Sequence, residues 1–94
     1  MTNTRKLALG QIYVTPGANE AVGVEHLSEL LEAIFEKHAC GDWGDLGEED
    51  KAANDEALET GDRILSAYNL GGVRIWIITE YDRSATTVLL PEEY

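Results

Sequence analysis

Residues 63–90 read RILSAYNLGGVRIWIITEYDRSATTVLL, and this stretch decides the fold. Three runs rich in β-branched and aromatic residues, Arg63 to Leu70, Val73 to Tyr81 and Ala85 to Leu90, are separated by Gly71-Gly72 and by Asp82-Arg83-Ser84. Such runs form strands, and turns this short join antiparallel neighbours. The stretch predicts a three-stranded antiparallel meander. Its middle run, VRIWIITEY, is apolar at nearly every position, as a central strand is when helices cover one face and the other is partly shielded.

Upstream, Glu48 to Thr60 reads as a helix with acids in its first turn and Gly61 at its end. Its apolar face is thin, with Ala52, Ala53, Ala57 and Leu58 available for packing. The preceding GDWGDLG, Gly41 to Gly47, is a loop by its Gly and Asp content. Before it, Leu27, Leu30, Leu31, Ile34, Phe35 and His38 recur at helical spacing between Glu25 and Ala39 and predict an amphipathic helix. Its apolar face is expected on the meander at Ile75 and Ile77. A short helical turn around Ala18 to Val22 and a first strand over Leu7 to Thr15, with Gly10 as a possible bulge, complete the chain. That strand is expected at the sheet edge. The fold class is α+β, with an N-terminal strand, two helices and a C-terminal three-stranded antiparallel meander, in one domain over residues 1–94.

The chain has 94 residues, 18 acidic and 7 basic, for a net charge of −11. Thirteen acids fall between Glu25 and Asp62 against Lys37 and Lys51, so the whole net charge sits on the helical middle. A phosphate backbone or an anionic membrane surface requires an excess of Lys and Arg, which excludes direct nucleic-acid and membrane binding. The expected partner is a basic protein surface. One cysteine forms no internal disulfide, and no cationic leader or membrane-length apolar run is present, so a cytoplasmic protein is predicted.

At about 100° per residue, Glu25, Glu29, Glu32 and Glu36 fall within roughly 60° of one another, opposite the apolar face, and about 4.5–6 Å apart along the axis. That spacing approaches the spacing of phosphates along a nucleic-acid strand. Glu48, Asp55 and Glu59 form a second, shorter ridge. Like charges at i,i+4 cost a few tenths of a kcal/mol per pair, and here they recur without a basic complement. The ridges are therefore either a solvated face or a partner-binding face. Trp43, between Asp42 and Asp45, either caps the core or anchors that partner.

Other chemistry is thinly represented. His38, Cys40, Asp42 and Asp45 are close in sequence but lack the paired ligands of a zinc site, so no metal is expected. No nucleophile elbow, Walker loop or dinucleotide fingerprint occurs, so no cofactor is expected. Glu80 and Arg83, with Arg74 and Thr87, leave open a ribonuclease-like or other enzymatic reading, and a structural or regulatory oligomer is a third.

The runs GDWGDL, ED-x-x-x-N-x-x-AL-x-x-G, RILSAY, IWIITE, DRS, TT and LLPEEY cover most of the chain. Through Gly41, Asp42, Trp43, Gly44, Asp45, Asn54, Arg63, Trp76, Glu80, Asp82, Arg83 and Ser84, the sequence resembles a family of short proteins of bacterial genomes, plasmids and phages. Members are sometimes labelled a type I restriction enzyme subunit, although 94 residues cannot hold a methyltransferase domain. The resemblance implies no catalytic residues. It implies a mobile-element setting, in which small acidic inhibitors of restriction or CRISPR machinery occur. From charge and resemblance together, the expected function is an inhibitor or modulator of a nucleic-acid-binding complex, acting by phosphate mimicry.

Overall fold

The computed structural model describes residues 7–22, 24–70 and 72–94, and at 22, 24–31 and 70 the backbone alone. The elements in chain order are β1 (Gln11–Val14), α1 (Pro16–Val22), α2 (Val24–Ala39), α3 (Glu48–Thr60), β2 (Ile64–Leu70), β3 (Val73–Thr79), β4 (Ala85–Leu89) and a 3-10 turn at Pro91–Glu93. The sheet order is β1-β4-β3-β2. β2, β3 and β4 form the expected antiparallel meander. β1 joins at the edge beside β4, but parallel to it, with Gln11 opposite Ala85 and Val14 opposite Val88. A parallel pair needs a long crossover. The helices supply it by carrying the chain from β1 to the far edge, from which the meander walks back.

The first strand is shorter than the Leu7 to Thr15 run suggests. Gly10 adopts φ +66°, and a Cβ there would crowd the Ser84 backbone, so the ladder starts only at Gln11. Leu7 instead donates its amide to the Ala39 carbonyl at 2.8 Å and packs with Trp43, Ala57 and Ile64.

The strand registers place Ile64, Ser66 and Tyr68 on the same sheet face as Thr79, Ile77 and Ile75 and as Thr86 and Val88. This face meets α1 and α2: Ala18, Ile34, Tyr68, Ile75, Ile77 and Val88 form one buried cluster, with Phe35 half-buried beside it. The expected burial of Ile34 against Ile75 and Ile77 holds, while the side chains of Leu27, Leu30 and Leu31 lie outside the described residues. No helix among the described residues is long and apolar enough to cross a membrane.

The GDWGDL loop closes the β2 edge. Ala67 donates to the Trp43 carbonyl at 3.2 Å and accepts from the Asp45 amide at 2.7 Å, as it would from a fifth strand. Two residues earlier, the Asn54 side chain takes the same role, donating to the Leu65 carbonyl at 2.6 Å and accepting from its amide at 3.3 Å. Gly44 sits between these contacts at φ +76°, where a Cβ would overlap the Ala67 carbonyl and approach the Tyr68 ring to 2.8 Å. No larger residue fits that position without displacing the cover.

Candidate functional site

α3 is an acidic helix built consistently with its own dipole. Glu48, Glu49 and Asp50 occupy the first turn, where negative charge is favoured, and Gly61 ends the helix at φ +84° with its amide on the Ala57 carbonyl. Arg83 adds its cation at that C-terminus, donating to the carbonyls of Ala57 (3.0 Å), Asp62 (2.7 Å) and Glu80 (3.2 Å). Glu48, Glu49, Asp50, Asp55, Glu56 and Glu59 are all exposed, as are Glu32 and Glu36 on α2. The side chains of Glu25 and Glu29, half of the predicted α2 ridge, lie outside the described residues. The ion pairs among the described residues are Arg63 with Glu80 (3.5 Å) and Arg74 with Asp45 (2.9 Å). Among the described residues, Glu32, Glu48, Glu49, Asp50, Glu56 and Glu59 are in no ion pair.

Three residues of the expected partner-binding set have structural duties: Asp45 and Asp55 perform theirs while exposed, and Trp43 takes the core-capping one of its two readings. Trp43 is only 3% exposed, its indole N–H donates to the Asp55 carboxylate at 2.9 Å, and its ring meets His38 edge-on at 5.8 Å. The interface-anchor reading of Trp43 is therefore corrected: a loop aromatic beside the open β2 edge has more apolar surface to bury inward than outward. Asp55 holds the Trp43 indole, and Asp45 accepts from Arg74 and Asn69. Asp42 stays exposed, its carboxylate accepting the Gly44 amide and its carbonyl accepting the Tyr68 hydroxyl at 2.8 Å. Burial pushes the Tyr68 phenol up to about 12, which keeps that donor protonated.

Beneath Trp43 runs a buried polar chain. Thr86 donates to the Leu9 carbonyl (2.7 Å), which leaves Thr79 to donate to Thr86 (2.8 Å) and His38 Nε2–H to donate to Thr79 (2.8 Å). His38 Nδ1 then accepts the Ser66 hydroxyl at 2.5 Å. The network thus assigns the Nε2–H tautomer. Burial, and secondarily the Arg83 charge, pull His38 from 6.5 down to about 4, so the imidazole is neutral at physiological pH. Ser66 and His38 resemble an activated nucleophile and its base, yet both are 0% exposed, and the relay ends on a backbone carbonyl. Its role is to tie α2 to β2, β3 and β4.

The groups of the enzymatic reading have structural partners as well. Arg83 is spent on three carbonyls, Glu80 pairs with Arg63, and Arg74 with Asp45. Cys40 is exposed at the end of α2 and donates to Glu36 at 3.4 Å, whereas His38 points into the core. His38 and Cys40 thus point apart, and among the described residues no group of three or more His, Cys, Asp or Glu side chains could hold a metal ion.

A concave feature lies on the sheet face opposite α1 and α2. A groove of 360 Å³ is lined by Trp76, Leu65 and Arg74 from the sheet, Leu46 from the loop, and Asp50 and Asn54 from α3. Trp76, half-buried, meets Tyr94 edge-on at 5.7 Å, and its Nε1–H is buried without a hydrogen-bond partner among the described residues. The alternation of Arg74 and Trp76 against Ile75 and Ile77 was the available signal that it lies on the outer face. Comparison with protein-family models, curated proteins and solved structures finds no match for this chain.

Proposed function

We propose that this protein binds the basic surface of a nucleic-acid-binding protein complex and inhibits or modulates it, with exposed carboxylates taking the places of phosphates. The observation that carries this reading is Asp50. It belongs to the acidic first turn of α3 and also lines the groove with Trp76, Leu65 and Leu46. Charge and an apolar groove therefore meet at Asp50, as in an interface whose apolar pocket is rimmed by charge. Arg74, the groove's cation, is neutralised by Asp45 at 2.9 Å. A basic partner thus meets a surface of net negative sign. The partner-binding set is Glu48, Glu49, Asp50, Glu56 and Glu59 with Trp76, joined by Glu32 and Glu36 of α2. The resemblance noted above supports a mobile-element setting and, with it, an anti-restriction or anti-CRISPR target in the cytoplasm. Binding fits better than catalysis because the candidate acid, base and nucleophilic groups hold strands and helix ends together.

Titrating the protein into reconstituted restriction and CRISPR effector complexes carrying fluorescent duplex DNA tests this directly. Release of the DNA from at least one complex, followed by anisotropy, is the expected result. Retention of DNA by every complex, at protein excess and low salt, would overturn the inhibitor reading.

A further inference from the structure

The two edges of the sheet are treated differently. The β2 edge is covered twice over, by the Trp43–Asp45 segment at Ala67 and by the Asn54 amide at Leu65. On the β1 edge, Gln11 donates to Ser84 (2.9 Å) and Thr15 to Val88 (3.0 Å), which turns the odd-numbered amides toward β4. Ile12 and Val14 therefore aim their amides and carbonyls outward, and no described residue meets them. The segment QIYV carries no charge and no proline, the usual devices that blunt an edge. Among the described residues, two of the four exposed large apolar side chains are here, consecutive in sequence: Ile12 at 46% and Tyr13 at 55% exposure.

We propose that β1 pairs antiparallel with β1 of a second copy, joining two four-stranded sheets into one of eight strands. The strand is self-complementary for this. With Tyr13 opposite Tyr13 on the two-fold axis, Ile12 of each copy faces Val14 of the other. The four outward amides then find the four outward carbonyls, because residues 12 and 14 are the edge-facing positions. Ile12 and Val14 meet on the helix-covered face, and the two Tyr13 rings meet on the other.

Charge selects a second copy for this edge over the basic partner. Residues 7–15 contain no acid, and the nearest carboxylate, Glu93, is occupied by the Thr15 hydroxyl at 2.6 Å and the Gly17 amide at 3.2 Å. The α3 acids flank β2 at the far end of the sheet. At about 4.8 Å per strand, seven spacings set the two β2 strands roughly 34 Å apart in the dimer. That is several Debye lengths, at about 8 Å each in physiological salt, so the two α3 rows do not repel strongly. The shortness of β1, four residues, sets the affinity low. The interface belongs to the weak, transient size class, populated only at high concentration. This inference stands independently of the docking function.

Sedimentation of the full chain from about 5 to about 500 µM is expected to show a mass rising from one copy toward two, as a weak self-association does. Ile12→Pro removes an outward amide and no sheet hydrogen bond, and Tyr13→Lys places like charges on the axis; both are expected to remain monomeric across the range. Circular dichroism checks folding, and Tyr13→Lys alone decides the matter if the proline variant does not fold. A wild type that stays monomeric throughout, or a folded Tyr13→Lys variant that dimerises as well as the wild type, would overturn the proposal.

Discussion

Truncating Trp43 to alanine is expected to lower stability by about 3–5 kcal/mol, the cost of a large cavity at a buried aromatic site. The position sits in a Gly- and Asp-rich loop, where a substitution would ordinarily be mild. Here the indole fills the space among Leu7, Ala57 and Ile64, donates to Asp55 and meets His38 edge-on. Its own carbonyl also accepts the Ala67 amide, so losing the ring loosens the cover of the β2 edge. Small domains hold only about 5–15 kcal/mol in total, and the variant should be partly unfolded at ambient temperature. Trp76→Ala, on the outer face, should cost less. Urea melts followed by far-ultraviolet circular dichroism compare the two, and a Trp43→Ala curve overlaying the wild type would show that the loop is not packed as described.

Acid should weaken the fold through His38. The side chain titrates near 6.5 when unfolded and near 4 when folded, because burial and then the Arg83 charge disfavour its cation. The unfolded state therefore binds the proton first as pH falls. The stability this difference confers is complete above about pH 6.5, declines between 6.5 and 4, and is gone below 4, a loss of about 3 kcal/mol. Carboxylate protonation relieves like-charge repulsion in the lower part of that window and works in the opposite direction. The informative quantity is thus the difference between wild type and His38→Gln, which removes the titrating group. The wild-type curve should fall more steeply between pH 6.5 and 4.5. Parallel curves would mean that His38 does not titrate differently in the two states.

The parts of the fold visible in the sequence were those written in local pattern. The meander follows from β-branched runs cut by short turns, and α3 from its acidic first turn and Gly61. What escaped depends on contacts between distant residues. The thin apolar face of α3 proved thinner still, since Ala52 and Ala53 are exposed, and the packing of Ala57 and Leu58 is joined by the Asn54 amide on the Leu65 backbone. Nothing in the helix pattern distinguishes Asn54 from a solvated polar residue. Trp43 was ambiguous for the same reason: a loop's composition does not show which edge it will cover. The partners of His38 left a trace, because Ser66, Thr79 and Thr86 each fall on the inward phase of their strands, where an apolar residue would otherwise stand. The parallel pairing of β1 left none, since strand direction is set by the path of three helices. The groove required the whole assembly, joining a loop, a helix and two strands.

The proposed docking function requires the exposed acids of α3 to be a binding surface and more than a solvated one. Changing Glu48, Glu49, Glu56 and Glu59 to Gln and Asp50 to Asn removes their charge at nearly constant size and places no cation at the helix N-terminus. The decisive measurement is DNA release from the responding effector complex by the wild type and by this amide variant, at about 50 and about 300 mM salt, where screening differs strongly. The expected result is strong release by the wild type at low salt, a steep loss at high salt, and little release by the folded variant at either. Equal release by wild type and folded variant would contradict the claim.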